Sequence, residues 1–174
     1  SEVEALAATV DHTDGVYFVP AFTGLGAPYW DQHAKGTLFG LTRGSTNAHI
    51  ARASLESIAF QTMDMLKAME ADAKISIKEL RVDGGATVNN LLMQFQSDVL
   101  NTKTVRPQIV ETTAMGAAFL AGLAVGYWTD FKEIESIWTT DKTFSPSTDR
   151  PPINTHIKGW EKAIKALTYW TSIN

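Results

Sequence analysis

Hydrophobic positions along this chain follow two periods, and the switches between them mark out the elements. Gly15 to Pro20 (GVYFVP) has the aromatic and β-branched content of a strand that Pro20 ends. The next stretch holds Gly24, Gly26, Pro28 and Gly36 without a period, and Thr37 to Leu41 resumes as a second short strand. Beyond the cap residues Thr46 and Asn47, Ile50, Leu55, Ile58, Ala59, Leu66 and Met69 recur at helical spacing, which predicts a long one-faced helix. Glu79 to Asp83 reads as a strand running into Gly84-Gly85, and Thr87 is placed to cap a helix whose face is Val88, Leu91, Leu92, Phe95 and Val99. Thr104 to Pro107 is a short strand. Thr112 or Thr113 then starts a small-residue helix that runs to about Val125 and that Gly126 ends. A short helix from Asp130 to Trp138, a polar stretch from Thr139 to Pro152, and a last helix with Ile157, Trp160, Ile164 and Leu167 on one face complete the pattern.

Strands alternating with helices predict an α/β fold with a mixed sheet flanked by helices, organised as one domain over residues 1–174. Hydrophobic residues at 44% and charged residues at 20% are those of a chain that folds. The 15 Lys and Arg against 19 Asp and Glu leave a net charge of −4, which argues against nucleic acid as a partner. The absence of cysteine removes disulfides, thiolate metal sites and cysteine nucleophiles together. Ala114 to Trp128 is the most apolar stretch; it is short for the roughly 20 residues of a bilayer span and reads as a buried helix, so no integral membrane association is expected. Ser1-Glu2-Val3-Glu4 lacks the form of a signal peptide, and a cytoplasmic piece of a longer protein is expected.

The segment Arg81-Val82-Asp83-Gly84-Gly85-Ala86-Thr87-Val88-Asn89-Asn90 is the best candidate for chemistry. Two residues without side chains let a ligand approach the backbone, and a helix start offers unpaired amides with positive dipole character. On a wheel of about 100° per residue centred on Val88, Asn89 flanks the apolar face at this mouth and Asn90 points away to solvent. Asn near a helix start is also an ordinary cap, and a Gly-Gly pair an ordinary turn, so the residues alone leave both readings open.

Other motifs carry less. Gly24-Leu25-Gly26 lacks the third glycine of a dinucleotide fingerprint, and no GxxxxGK loop occurs. His12, His33, His49 and His156 are too scattered for a pair of metal ligands, and Ser54 and Ser57 lie inside the long helix rather than on a nucleophile elbow. Tyr29 and Trp30 are expected to pack back onto the domain, and Glu133, Glu135, Asp141 and Asp149 to form a solvated acidic surface.

Several longer runs agree in their spacing. Pro20-Ala21-Phe22-Thr23-Gly24-Leu25-Gly26-Ala27-Pro28-Tyr29-Trp30-Asp31, then GTLFGLTRG from Gly36, resembles the glycerol kinases of the FGGY carbohydrate kinase family. His49-Ile50 and Ala53-Ser54-Leu55-Glu56 match a second signature of that family, and RVDGGA, NNLLMQFQSD and TAMGAAFLAGLAVGYW extend the likeness to about residue 128. Thr139 to Lys158 is the weakest stretch. The loop Gly24-Leu25-Gly26-Ala27 stands where xylulose and gluconate kinases of the family typically have a Gly-Glu-Arg-like loop, which favours glycerol.

The resemblance implies an RNase H-like, actin-like ATPase fold, with this chain as the carboxy-terminal of two domains and the active site between them. It implies ATP or ADP with Mg²⁺ as cofactor, and the adenosine held at Gly84, Gly85, Ala86 and Asn89, chiefly by the Gly85 backbone and the Asn89 side chain. The phosphate loop, the glycerol-binding residues and the general-base aspartate of the family have no counterpart here, so no catalytic residue and no metal ligand is expected in this chain, and no turnover from it alone. A homo-oligomeric full-length enzyme is expected. The alternatives are a kinase of the same family acting on another sugar or polyol, or a non-catalytic nucleotide-binding module.

Overall fold

The structure is a computed structural model that describes residues 2–148 and 153–173. It opens with helix α1 (Glu2–Ala7), followed by β1 (Tyr17–Val19) and β2 (Thr37–Phe39), which pair antiparallel with Tyr17 opposite Phe39. The long connection between them is tied down by its own polar groups. The Asp31 carboxylate accepts from the amides of His33 at 2.9 Å and Ala34 at 3.1 Å, and from the Thr171 hydroxyl at 2.6 Å. These bonds, led by the Thr171 hydroxyl, hold the Asp31 carboxyl below the usual carboxylate range.

Helix α2 (Asn47–Ala73) begins where the Thr46 amide donates to His49 Nδ1 at 3.1 Å, and it stops at Lys74 with φ of 55°. On its inward face Ala59 packs with Leu92, Met93 and Phe144, while Phe60 and Met63 meet the last helix, α6 (Ile153–Ser172). There the Phe60 and Trp160 rings stack at 5.2 Å and Phe95 meets Phe60 edge-on at 5.4 Å, an arrangement that adds about 1 kcal/mol per pair to the area buried. Helix α6 crosses β1 at Gly159, where a Cβ would collide with the Tyr17 ring.

The second sheet has the order β3 (Glu79–Arg81), β4 (Lys103–Pro107), β5 (Thr140–Phe144), with β3 and β4 parallel and β4 and β5 antiparallel. Helix α3 (Asn90–Leu100) lies against it; the Ser97 hydroxyl reaches the carbonyls of Thr102 and Phe144 at 2.8 and 3.0 Å. Helices α4 (Thr112–Ala124) and α5 (Phe131–Ile137) follow in sequence, and the chain leaves α4 through Gly126 at φ of 74°.

Three expectations need correction. Strand β5 occupies part of the stretch expected to be polar loop; it is an edge strand in which only Phe144 is buried, so it shows almost no hydrophobic alternation. Helix α4 is not buried: among its residues only Gly122 is. Tyr29 packs inward as expected, but Trp30 stands 78% exposed. Among the described residues no helix is long and apolar enough to cross a membrane. Glu133 and Glu135 are exposed, as is Asp141, which pairs with Arg106; Asp149 lies outside the described residues.

Candidate functional site

Strand β3 leads into Gly84, whose φ of 85° and ψ of 168° belong to a region only glycine occupies readily. A single 3-10 turn, Gly85–Val88, follows, and α3 starts after it. The turn closes on the Gly84 carbonyl, which accepts from the Thr87 amide at 3.1 Å and the Thr87 hydroxyl at 2.7 Å. Thr87 therefore shapes the turn and does not cap α3 as expected. The cap is Asn89, whose Oδ1 accepts from the Leu92 amide at 2.9 Å. With the helix starting two residues later than the wheel assumed, Val88 leaves the apolar face and is 54% exposed, while Leu92, Met93 and Val99 are buried.

The helix start is also occupied from elsewhere. Glu4 of α1 places Oε1 at 2.7 Å from the Asn90 amide and 3.1 Å from the Leu91 amide. An acidic group at a helix N-terminus satisfies orphan donors and complements the dipole. The amides of Asn90, Leu91 and Leu92 thus have partners within the chain, which corrects the expectation that they stand open to a ligand.

What remains uncovered is the glycine backbone. Gly85 and Ala86 are exposed, and a Cβ built on either Gly84 or Gly85 would find nothing within 4 Å. Gly85, unlike Gly84, has no left-handed backbone, so neither conformation nor crowding inside this chain accounts for a glycine there. Asn89 lies beneath the turn at 4% exposure.

Arg106 of β4 braces the element from the side. Its guanidinium donates to the Thr87 carbonyl at 2.7 Å and to Asn90 Oδ1 at 3.2 Å, and pairs with Asp141 at 2.7 Å. Asn90 is thus solvent-exposed, as expected, yet engaged. Asp83 accepts from the Thr112 hydroxyl, and the Gly84 amide donates to the Val110 carbonyl at 2.8 Å, so the turn is tied to the start of α4. Glu4 and Arg106 were not legible as site residues, because their partners lie far away in sequence.

His12 and His49 stack with ring centroids 6.4 Å apart, but among the described residues no group of three or more His, Cys, Asp or Glu is placed to hold a metal ion.

Residues 1–125 match the C-terminal domain of the FGGY family of carbohydrate kinases. The chain belongs to that family. Over 170 residues, 98% of this chain, it is 59% identical to a glycerol kinase of Burkholderia vietnamiensis and 61% identical to one of Paraburkholderia phymatum. It spans 34% of the length of each. The crystal structure of Plasmodium falciparum glycerol kinase with ADP superposes with a TM-score of 0.84 at 37% identity, covering 95% of this chain and 33% of that one. A xylulose kinase of Rhodospirillum rubrum shares the fold, with a TM-score of 0.79 at 23% identity, and covers 98% of this chain and 34% of its own. The FGGY chain thus has the expected fold, the mixed α/β architecture of actin-like ATPase sugar kinases.

Proposed function

We propose that this chain is one domain, the carboxy-terminal and adenosine-binding part of an ATP-dependent glycerol kinase that converts glycerol to sn-glycerol 3-phosphate. The observation that carries the reading is the open backbone at Gly84, Gly85 and Ala86, on a strand-turn-helix element in a chain about 60% identical to glycerol kinases. A planar purine nucleoside can lie against such a backbone at van der Waals distance, where any side chain at residue 85 would hold it off. Asn89 fixes the start of α3 with its Oδ1 on the Leu92 amide, which leaves only Nδ2 as its direct contact; Arg106 and Asp83 tie the turn to β4 and the start of α4, and Glu4 holds the first amides of α3.

Phosphoryl transfer needs acceptor hydroxyl, γ-phosphate and Mg²⁺ held in line. The residues for glycerol, for the metal and for general-base catalysis are assigned to the remaining two thirds of a full-length polypeptide, which acts in the cytoplasm as a homo-oligomer. This chain alone then positions adenosine without turning over. The test is steady-state kinetics of the full-length enzyme with glycerol, xylulose and gluconate. Glycerol should be preferred, and Gly85→Val should raise the KM for ATP about tenfold or more while the KM for glycerol stays within about twofold. Preference for another acceptor, or an unchanged KM for ATP, would refute the reading.

A further inference from the structure

Val88, Leu91, Leu92, Phe95 and Val99 recur at helical spacing, yet α3 starts only at Asn90 and Val88 stands exposed outside it. A continuous helix through this segment would bond the amides of Asn90, Leu91 and Leu92 to the carbonyls four residues back, those of Ala86, Thr87 and Val88. Side chains take these groups instead. Glu4 Oε1 accepts from the Asn90 and Leu91 amides at 2.7 and 3.1 Å, and Asn89 Oδ1 accepts from the Leu92 amide at 2.9 Å. The Thr87 carbonyl, which the Leu91 amide would use in a continuous helix, accepts from the Arg106 guanidinium at 2.7 Å. Glu4 and Arg106 thus occupy the donor and the acceptor of the same unmade helical bond. The Met93 amide, bonded to the Asn89 carbonyl at 3.1 Å, opens the regular ladder.

The break decides what the glycine turn presents. Asn89 has an extended backbone, φ of −76° and ψ of 108°, so the chain changes direction between the Gly85–Val88 turn and α3. Were residue 89 helical, the turn would run on into α3 and the Gly85 and Ala86 backbone would face elsewhere. We infer that Glu4 and Arg106 are positioning residues for the nucleotide: by keeping the Leu91 amide and the Thr87 carbonyl apart, they hold residues 85–91 in the broken form that leaves Gly85 and Ala86 open. The inference rests on the reading of that backbone as an adenosine site. Arg106 is itself fixed, by Asp141 at 2.7 Å and by the Phe144 ring, whose centroid is 5.5 Å from its Cζ. Both residues act on Thr87, Asn90 and Leu91, beyond the glycines in the chain, so their effect reaches the site through the conformation of the turn.

Steady-state kinetics of the full-length kinase tests this. A segment that merges with α3 part of the time leaves fewer molecules competent to bind, which raises the KM for ATP, while saturating ATP restores the broken form and with it kcat. Glu4→Ala should raise the KM for ATP about fivefold or more, with kcat and the KM for glycerol within about twofold of the parent, and Arg106→Met should do the same. Asn90→Pro supplies the decisive readout. Proline at the first position of a helix needs no amide partner, cannot bond back to Ala86 and keeps the preceding residue extended, so it imposes the break without either charge. Added to Glu4→Ala, it should return the KM for ATP to within about twofold of the parent, which no general loosening of the fold would allow. A KM for ATP that Glu4→Ala leaves unmoved, or that Asn90→Pro leaves raised, overturns the proposal. The adenosine reading fails separately: it falls if Gly85→Val leaves the KM for ATP unchanged, and it stands if Gly85→Val raises that KM while Glu4→Ala does not.

Discussion

Trp160 Nε1 donates to Asp64 Oδ2 at 2.6 Å, joining α6 to α2 across the core, and the Tyr29 hydroxyl donates to the same oxygen at 2.7 Å. One carboxylate therefore satisfies a buried donor and a half-buried one from two other segments. Burial pushes the Asp64 carboxyl above the usual carboxylate range, against the pull of these two bonds, and drives the Tyr29 phenol up as well. Asp64→Leu strips both donors of their acceptor and should cost about 2–4 kcal/mol in urea unfolding; Asp64→Asn, which keeps an oxygen in place, should cost about half as much or less. Equal losses for the two variants would show that volume, not the acceptor, matters at this position.

The two caps on α3 should be separable. Asn89→Ala removes the bond to the Leu92 amide and is expected to destabilise the chain by about 1 kcal/mol, with Asn89→Asp retaining most of it. Glu4→Gln, which keeps a carbonyl oxygen but loses the charge at the helix start, should cost about 0.5 kcal/mol, less at high salt. Chemical denaturation at two ionic strengths reads both effects.

Gly84 and Gly85 are adjacent but differ in what they forbid. Gly84→Ala forces an L residue to φ of 85° and should lose about 1–3 kcal/mol. Gly85→Ala meets neither strain nor crowding and should stay within about 0.5 kcal/mol of the parent chain. Thermal unfolding of the pair would contradict the geometry if the order were reversed.

His156 supplies an acid-sensitive step. Burial pushes its imidazole below the usual histidine range, Arg52 and His12 add in the same direction, and its Nδ1 has no partner among the described residues. With the folded pKa below the unfolded one, the neutral ring's contribution is complete above about pH 6.5 and is lost as pH falls through the lowered value. His156→Phe, placed beside Phe95, should remove this step. Unfolding free energies at pH 7 and pH 5 should then fall further for the parent chain than for the variant.

The elements that announced themselves are those with one face buried over several turns. On α6, Trp160, Ile164 and Leu167 recur at helical spacing because each meets the same core; on α2 the face read from the sequence is buried at Leu55, Ala59 and Leu66, but Ile58 and Met69 are 42% and 54% exposed, and Phe60 and Met63 fill the core instead. The pattern failed where burial is not periodic. In β5 only Phe144 is covered, and at α3 the apolar Val88 extended the helix pattern backward past a turn that the Thr87 hydroxyl closes. The glycine pair and Asn89 were legible as a candidate site from residue type alone. The groups that brace it were not, since Glu4 and Arg106 reach the turn from a different helix and a different strand. Helix α4 has the composition of a buried element, yet only Gly122 of it is buried, so composition alone misread it.

The crossing at Gly159 gives the core a keyed fit. Shifted one turn along its axis, α6 would present Thr155 or Ala163, each with a side chain, to the Tyr17 ring where only a bare Cα passes. In either shifted register a side chain would have to push the Tyr17 ring aside, so the bare Cα at residue 159 favours the native seat of α6 on β1.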